Sequence, residues 1–486
     1  MLSILFRRSA FLESMSNTST PPERLRVLVV GGGAAGTAAA WGLCQCPERF
    51  DVTLWEAAPC LGGVATTERL KLPDGTDVSA NDGVQGGATS YRNTLALHSS
   101  LGFTPQPVEM TVRFGTESFA WGNTGAPTEL VRRLKADIAR FGKAMTWMNR
   151  LNFVFAFVPI RTALKMWRFS TDFSERMVYP LTALFFGTGN KTPEVSAAIV
   201  ARVFLDPQLR LFDYDSTRLL SQTPAMFAFQ LLKDIYDAFS RDLSSKGAKV
   251  SVGRKVTEVR REWKPTMVNG KPTKKMVVTA VDSNGKEEMF DRVILACPAD
   301  VALRLLGQGA SWSEKRVLGS VRYYDDVTIT HMDHDYMKAH YDMRGSADTT
   351  DHHPLTLSQT QGGVGSDVDG STRTDYFIRT DATHPEELEM SFDLGHYQPA
   401  LRDDASIRFP IYQSIFLNKA ACGGRWTMGK IDKSKILLEK WWHAFSHEAS
   451  HFRQVVPWTW LIQGSSSGST FYCGSWCVAN TSLHHI

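Results

Sequence analysis

The order of apolar and polar residues near the start of the chain predicts a buried strand, a tight turn, a helix and a second strand. The first strand is the apolar run Arg26 to Val30, and glycines follow it as far as Gly36. An alanine-rich stretch from Ala34 to Cys44 predicts a helix that Pro47 ends, and Val52 to Trp55 is the second strand. Strands that alternate with helices predict an α/β fold with a parallel sheet and right-handed crossovers.

The turn after the first strand has the spacing of a dinucleotide-binding loop. Gly31, Gly33 and Gly36 form the pattern GxGxxG, and Glu56 follows the second strand. In such a loop the first glycine supplies unusual dihedral angles, the second lets backbone approach a pyrophosphate, and the third lets helix and strand pack closely. The pyrophosphate lies at the helix N-terminus, and the acid holds ribose hydroxyls. A glycine turn without a nucleotide is the alternative.

Further segments bear on which dinucleotide binds. Glu56 favours a free 2′-hydroxyl, as in FAD or NAD, over the phosphate of NADP. A glycine doublet, Gly62-Gly63, comes next, and Asp291 to Asp300 has the pattern of a buried strand that breaks at a small residue and Pro298. With the first loop, these segments resemble the three-part fingerprint of the flavin-containing amine oxidase and phytoene desaturase superfamily. The resemblance implies FAD, with the doublet along its pyrophosphate.

Two stretches in the second half narrow the resemblance. Thr330 to Asp333 and Thr470 to Trp476 are similar to a subgroup of FAD-binding oxidoreductases associated with cyclopropane-fatty-acid synthases. The chain departs from the family at Val64, where a basic residue commonly follows the doublet. It departs again at the end, because the family continues into a glycine-rich turn and a helix that contact the flavin. We therefore expect a truncated closing segment and weakly held FAD.

The glycine pattern and the resemblance together assign the site residues. The predicted FAD contacts are Gly31, Gly32, Gly33, Ala34, Ala35, Gly36, Glu56, Ala57, Gly62, Gly63, Val64, Val256, Ala296, Pro298 and Gly474. His331 is the first residue to test as a catalytic base, because it stands at a family-like motif and an ordinary histidine pKa suits proton transfer near neutrality. A core or surface histidine is the alternative.

The rest of the pattern predicts a second, discontinuous domain. Thr128 to Phe141 has amphipathic helical spacing, and strand-like runs lie at Asp326–Thr330 and Phe409–Tyr412, where Pro410 confines the second run to an edge. The fold class is a Rossmann-like FAD-binding domain plus an α+β substrate domain with an antiparallel sheet and a helical cap. The predicted segments are a flexible extension (1–23), FAD-binding parts (24–105, 246–319 and the closing 456–486), the helical cap region (106–245) and the substrate-domain sheet (320–455).

The apolar stretch from Met145 to Trp167 has three interpretations. Its apolar core, Leu151 to Ile160, is bounded by Arg150 and Arg161 and is too short to span a bilayer. It lies on a membrane surface with Arg150 and Arg161 at headgroup level, or it is a cap that lines a channel for an apolar substrate. A hydrophobic helix pair packed within its own domain is the third interpretation.

A histidine cluster fits the zinc pattern HExxH. His447 and His451 flank Glu448 at the required spacing, and His443 extends the same predicted helix face. A protease needs a third ligand, and the only histidines after His451 are in the tail. A polar helix face that carries histidines is therefore preferred, and no metal site is predicted.

Composition agrees with a large cytoplasmic enzyme. A chain of 486 residues with 43% hydrophobic residues can bury a large core. The formal net charge of +4 comes from scattered basic residues, which argues against nucleic acid as a partner. Seven irregularly spaced cysteines predict reduced thiols and contain no CxxC pair for a metal. Arg7 and Arg8, with several serines, leave a mitochondrial presequence as the alternative.

The sequence thus predicts an FAD-dependent oxidoreductase. The flavin takes or exchanges a hydride with an apolar, unsaturated acyl or isoprenoid chain, while the protein orients the substrate and excludes water. The substrate class follows from Met145 to Trp167 and from the family's association with fatty-acid modification. One alternative is an amine oxidase with an aromatic cage of Trp458, Trp460, Tyr472 and Trp476. Another is a non-catalytic protein with an interaction role. The oligomeric state is not predicted.

Overall fold

The computed structural model describes residues 24–116, 119–187, 189–207, 210–222, 224–268, 271–343, 374–381 and 383–477. Three predicted features lie outside the described residues. They are the flexible extension at 1–23, the tail after 477, and a surface insertion that the Asp-, Gly-, Ser- and Thr-rich composition of residues 349–370 indicates.

A five-stranded sheet in which all strands are parallel organises one half of the molecule. Its order is Lys249–Ser251, Phe50–Trp55, Leu25–Val30, Arg292–Leu295 and Thr470–Tyr472. Distant stretches of the chain therefore supply one sheet. Its central strands are apolar along most of their length because both faces are covered. Helix Ala34–Leu43 connects the first two strands, which confirms the predicted Rossmann-like α/β architecture.

A seven-stranded mixed sheet organises the other half. Its order is Ile436–Phe445, Tyr323–His331, Tyr412–Phe416, Leu388–Asp393, Tyr376–Thr380, Val112–Phe114 and Trp121–Gly122. All pairs are antiparallel except Tyr376–Thr380 with Val112–Phe114. The predicted edge strand at Phe409–Tyr412 is wrong in position. The strand begins at Tyr412 and lies inside the sheet, because Pro410 has no N–H for a ladder and stays outside it.

The helical region covers one side of the seven-stranded sheet. Its principal helices are Glu129–Arg133, Lys135–Arg150, Asn152–Phe155, Ile160–Met166, Tyr179–Phe186 and Ala197–Leu205. Helix Lys135–Arg150 buries Ile138, Phe141, Met145 and Met148, which recur at helical spacing on one face. These side chains belong to the largest apolar core. Within the described ranges, no helix is long and apolar enough to cross a membrane.

The stretch 106–245, which the sequence predicts as a helical cap region, contains strands as well as helices. The strands include Gln106–Glu109 and Ala225–Ala228, which form a small sheet with Gly86–Ala88, and the pair Tyr214–Asp215 and Leu219–Leu220. Other antiparallel strands are Ala65–Lys71 with Asp77–Gly83, and Val256–Val268 with Lys271–Asp282 and Glu287–Phe290. Pairing between distant segments decides these strands, so local spacing does not reveal them.

The remaining elements are helices and helical turns that cover the sheets. They are Arg92–Ser100, Thr171–Phe173, Ser174–Val178, Thr192–Glu194, Leu232–Ser245, Ala299–Leu306, Gly307–Gly309, Trp312–Leu318, His334–His340, Leu394–Tyr397, Pro399–Arg402, Lys419–Cys422, Thr427–Lys430, Lys433–Lys435, Ala449–Gln454, Val456–Leu461, Ser465–Gly468 and Ser475–Cys477.

Candidate dinucleotide and substrate site

The glycine-rich turn packs against the neighbouring strand of the parallel sheet. Gly31 has a φ of +104°, a conformation that side chains rarely adopt. A Cβ atom on Gly31 would lie 2.7 Å from the carbonyl oxygen of Ala296. Ala296 in turn donates its N–H to the carbonyl oxygen of Val30 at 2.8 Å. The turn therefore requires glycine at position 31 for both conformation and space.

Gly33 and Gly36 differ in what surrounds them. A Cβ on Gly36 would lie 1.9 Å from the carbonyl oxygen of Gly31, so helix and strand approach too closely for any side chain. At Gly33 the nearest atom to such a Cβ is Cα of Gly63, at 3.7 Å. Space therefore remains over Gly33, at the start of helix Ala34–Leu43, where the first N–H groups have no intrahelical acceptor.

The glycine doublet lies directly against this turn. Gly62 donates its N–H to the carbonyl oxygen of Gly32 at 2.9 Å, and Gly33 and Gly62 form an isolated parallel bridge. Gly63 has a φ of +64°. Val64, which follows the doublet, is largely exposed. Two backbone segments thus form one cradle that carries no side chains at its contact.

Glu56 closes the cradle at the end of the second strand. Its Oε2 accepts the N–H of Gly32 at 2.5 Å, and its Oε1 accepts the N–H of Ala58 at 2.7 Å. Each carboxylate oxygen can accept a further hydrogen bond, so the group still has capacity for hydroxyls. Ala57, the next residue, is exposed. The acid is therefore held in a fixed orientation beside the glycine turn.

The later predicted contacts lie on neighbouring parts of the same sheet. Pro298 is the N-cap residue of helix Ala299–Leu306, and Gly474, with a φ of +146°, follows the edge strand Thr470–Tyr472. The carboxyl ends of parallel strands meet at one edge, which is where such folds bind ligands. The side chain of Val256 belongs instead to the buried apolar core. The contacts of all these residues with FAD stay predictions.

His331 lies in the core of the seven-stranded sheet. Its Nδ1 accepts the N–H of Asp333 at 3.2 Å, and its Nε2 is 2.9 Å from the hydroxyl of Ser414. Burial lowers the pKa of His331 to about 4. Both ring nitrogens have partners, and the side chain has no exposed surface. Of the two sequence interpretations, this position fits a core histidine and gives no support to a catalytic base.

A charged cluster beside the doublet was not identified from the sequence. Lys440 Nζ donates to the hydroxyl of Thr66 at 2.6 Å, pairs with Glu68, and lies 3.8 Å from Oδ2 of Asp82. It also lies over the ring of Trp442. Thr66 and Lys440 are 374 positions apart along the chain, so no local motif could have indicated the cluster.

Asp82 is the buried member of this cluster. Its Oδ1 accepts Nε2 of Gln413 at 2.7 Å, and Oε1 of Gln413 accepts Nε2 of Gln85 at 2.9 Å. Among the described residues Oδ2 has no hydrogen-bond donor. Burial raises the pKa of Asp82, and the positive charge of Lys440 partly opposes the shift. Asp82 thus has one oxygen without a hydrogen bond, 3.8 Å from Nζ of Lys440, and its carboxyl favours the protonated form more than an ordinary aspartate does.

A cavity of about 220 Å³ lies between the helical region and the seven-stranded sheet. Gly83, which follows Asp82 in the chain, is one of its lining residues. A Cβ atom on Gly83 would lie 2.1 Å from the carbonyl oxygen of Val64. No charged side chain lines it within the part of the chain that is described. The other lining residues are Val84, Gln85, Gly86, Gly87, Tyr91, Met110, Leu184, Phe185, Phe186, Ile199, Val203, Leu211, Met226, Tyr376, Phe392, Tyr397 and Ile415.

The HExxH stretch does not form the predicted helix face. His443 lies on strand Ile436–Phe445, where its ring stacks on Tyr323, while the helix begins only at Ala449. Burial lowers the pKa of His447 to about 4, and Glu448 accepts a hydrogen bond from the hydroxyl of Tyr324 at 2.6 Å. Among the described residues, no group of three or more histidine, cysteine or acidic side chains is arranged to hold a metal.

The aromatic cage of the amine oxidase alternative is not assembled. Trp458 and Trp460 are exposed on the turn Val456–Leu461. Tyr472 and Trp476 are buried and already hydrogen-bonded, to Glu314 and to the carbonyl oxygen of Cys297. The four side chains are therefore divided between an exposed pair and a buried, hydrogen-bonded pair.

Comparisons with known proteins agree with this architecture. Residues 29–101 match the model of the NAD(P)-binding Rossmann-like domain, which confirms the predicted dinucleotide-binding fold. A comparison with curated protein sequences found no significant match.

Solved structures resemble the chain over nearly its whole length. A CLA-producing fatty acid isomerase from P. acnes is 14% identical with a TM-score of 0.62, over 96% of this chain and 97% of that chain. An oxidoreductase from Methanosarcina mazei is 13% identical with a TM-score of 0.55, over 95% and 98%. Putrescine oxidase bound to putrescine is 13% identical with a TM-score of 0.56, over 95% and 96%. At identities of 13–14%, these likenesses show that the chain shares the overall fold of these proteins.

Proposed function

We propose that the protein is an FAD-dependent oxidoreductase that acts on an apolar, unsaturated acyl or isoprenoid chain. One observation carries the proposal. Gly83 lines the uncharged cavity, and its backbone contacts Val64, the residue that directly follows the glycine doublet. An apolar substrate and a dinucleotide would therefore lie next to each other, as a hydride transfer requires.

The cradle fits a pyrophosphate-linked cofactor. Space over Gly33, the start of helix Ala34–Leu43 and the fixed carboxylate of Glu56 supply room, N–H donors and a ribose acceptor. The second glycine segment, Gly62-Gly63, favours FAD over NAD through the family resemblance. When bound, the flavin supplies hydride acceptance and return.

The chain's own residues hold the substrate and exclude water. The aromatic and aliphatic walls, including Phe185, Phe186 and Met226, would bury an acyl chain at about 25 cal/mol per Å² of apolar surface. Oδ2 of Asp82 is the atom that we assign to hold or accept a proton beside the cavity. The positive charge of Lys440 limits how far burial raises the pKa of the Asp82 carboxyl. One structural neighbour is a fatty acid isomerase, whose substrate has this chemistry.

An amine substrate is less well supported. A cationic amine needs acidic or aromatic partners, and the described lining of the cavity has no charged side chain. Asp82, which precedes the lining residue Gly83, and Glu68 both form ion pairs with Lys440. Similarity to putrescine oxidase therefore supports the shared fold and not an amine substrate.

The test combines cofactor and substrate measurements. Purified protein should show flavin absorbance after incubation with FAD. Unsaturated fatty acid mixed in without oxygen should change that absorbance or shift the substrate's double bond, whereas putrescine should do neither. Leu184→Trp, which narrows the cavity, should reduce turnover at unchanged FAD affinity. Leu205→Trp, at a helix end outside the cavity lining, is the matched control.

Two outcomes overturn the proposal. Failure of the folded protein to bind FAD favours the non-catalytic alternative. Turnover of amines but not of fatty acids or isoprenoids, with no effect of Leu184→Trp, assigns the reaction to the amine oxidase class instead.

A further inference from the structure

We propose that the outer face of the helical region is a peripheral membrane-binding surface for bilayers that contain anionic phospholipids. We name this face the cap surface. It comprises the exposed apolar side chains of Trp147, Leu151, Phe153, Val154, Phe157 and Met166 and the exposed basic side chains of Lys143, Arg150, Arg161, Lys165 and Arg168. The inference concerns where the protein acts and does not depend on the proposed reaction.

The apolar residues of the cap surface are exposed to solvent. Phe153 is 71% exposed, Met166 is 62% exposed and Trp147 is 51% exposed. Single exposed apolar residues are ordinary on soluble proteins, but contiguous apolar patches mark sites that bind a partner or a membrane. All the exposed apolar residues of the cap surface come from one short segment of the chain, Trp147 to Met166.

Two contacts join these residues into one patch. Leu151 donates its N–H to the carbonyl oxygen of Trp147 at 3.0 Å, which holds the first two within one helical turn. The rings of Phe155 and Trp167 stack with centroids 5.3 Å apart, which brings the short helix Asn152–Phe155 against the end of helix Ile160–Met166. The exposed side chains on both helices therefore flank the same contact.

The charge around the patch has a single sign. The sequence from 138 to 171 has six basic residues and no acidic residue. Arg140 and Arg161 pair with acids from outside this segment, Asp137 and Glu194. The others form no ion pair within the part of the chain that is described; they are Lys143, Arg150, Lys165 and Arg168. These positive charges lie on the same short segments as the exposed apolar side chains, and the guanidinium of Arg150 lies 5.8 Å from the ring centroid of Trp147.

This combination fits the interface of an anionic bilayer. Tryptophan and phenylalanine enter the boundary between headgroups and acyl chains, while lysine and arginine stay at headgroup level and attract anionic lipid. A second copy of the chain fits less well, because a two-fold dimer would place the same basic surface on both sides and the charges would repel.

The cap surface lies on the outside of the layer that encloses the cavity. Helix Lys135–Arg150 packs on helix Ala197–Leu205. Ile199 and Val203 of that second helix line the cavity. One layer of helices therefore separates the proposed membrane contact from the candidate substrate site.

The experiment measures co-sedimentation of the full chain with lipid vesicles. We expect binding to vesicles of phosphatidylcholine with phosphatidylglycerol, and weak binding to phosphatidylcholine alone. Added salt should weaken the binding, because it screens exposed charges. Flavin-free protein should bind as well as flavin-loaded protein, so this result is independent of FAD or substrate chemistry.

Matched variants separate the two parts of the surface. Phe153→Ser should weaken vesicle binding by about tenfold, since it removes one aromatic side chain that would be buried in the bilayer on binding. Lys143→Gln and Lys165→Gln should each weaken it by about fivefold on anionic vesicles only. Trp312→Ser is the control, because Trp312 is 78% exposed but lies on the helix Trp312–Leu318, outside the cap surface.

Three results overturn the proposal. They are no binding of the folded wild type to anionic vesicles, equal binding by Phe153→Ser and wild type, and loss of binding in Trp312→Ser alone. A dimer in light scattering that Phe153→Ser dissociates, without any vesicle binding, assigns the surface to self-association instead.

Discussion

A Cβ atom on Gly36 would lie 1.9 Å from the carbonyl oxygen of Gly31. No side chain fits this distance, so the first helix and the first strand can pack only around a glycine. Gly33, three residues earlier, has no comparable constraint, since its backbone is extended and its nearest neighbour is 3.7 Å away. The glycines of one motif therefore have different roles, which substitution can separate.

Gly36→Ala should destabilise the protein. The methyl group must displace backbone, and forced overpacking typically costs about 1–3 kcal/mol of unfolding free energy. Gly42→Ala in the same helix is the control, because no atom lies within 4 Å of its Cβ position. We expect that variant to match or exceed wild type, since alanine is the better helix former. Urea unfolding of both variants tests this, and equal stability would contradict the close approach.

Gly33→Val should leave the fold intact and abolish FAD retention. Its φ of −67° and ψ of 178° suit any residue, whereas the side chain would occupy space that we assign to the pyrophosphate. Absorbance of the purified variant measures retained flavin, and circular dichroism measures folding. Flavin in a folded Gly33→Val protein would assign the pyrophosphate to another loop.

Glu56→Gln should weaken FAD binding by up to about tenfold. Hydrogen bonds to a charged acceptor contribute about 1.5–3 kcal/mol, compared with about 1 kcal/mol for neutral ones. The carboxylate also orders Gly32 and Ala58 through their N–H groups. Titration of flavin-free protein with FAD gives the Kd. An unchanged value would move the ribose contact to a different residue.

Glu314→Gln should reduce stability in a pH-dependent way. Burial alone would raise the pKa of Glu314, but hydrogen bonds from Arg261, Ser465 and Tyr472 outweigh it and lower the pKa to about 2. The ionised acid therefore stabilises the fold above about pH 4.5, and this contribution disappears as the pH falls towards 2. We expect a loss of about 3 kcal/mol at pH 7.

Urea unfolding at neutral and acid pH checks this expectation. The difference between Glu314→Gln and wild type should shrink as the pH falls from 4.5 towards 2. Glu287→Gln removes the exposed ion pair with Arg260 and should cost less than about 1 kcal/mol. A difference that does not depend on pH would assign the effect of Glu314→Gln to packing.

Lys440→Met should shift the pH dependence of turnover. The positive charge of Lys440 lowers the pKa of Asp82, so its removal should raise that pKa further. If Asp82 acts as the base, the acid limb of the kcat/KM profile moves to higher pH. Lys249→Met, which removes only a surface pair with Asp51, should leave the profile unchanged. An unshifted limb in Lys440→Met would exclude Asp82 as the titrating group.

The sequence by itself determined the dinucleotide-binding half. The apolar run before Gly31, the helix after Gly33 and the acid at position 56 are local features within about one βαβ unit. Their geometry depends on residues that are close along the chain, so spacing alone predicted the strand, turn and helix. The wrong predictions concern features that local spacing does not define. His443 was predicted on a helix and lies on a strand, and the strand after Pro410 was predicted at a sheet edge and lies inside the sheet.

Only the tertiary structure brings together the groups to which we assign the catalytic role. Asp82 and Lys440 come together because strands Ala65–Lys71 and Asp77–Gly83 pack against strand Ile436–Phe445, and no periodicity reports such a contact. The burial of His331, which favours the core interpretation, also depends on long-range packing, since a histidine's pKa depends on desolvation and partners that the sequence does not contain. Residues that are close along the chain form the glycine turn, whereas the cavity and the charged groups beside it come together only through long-range packing.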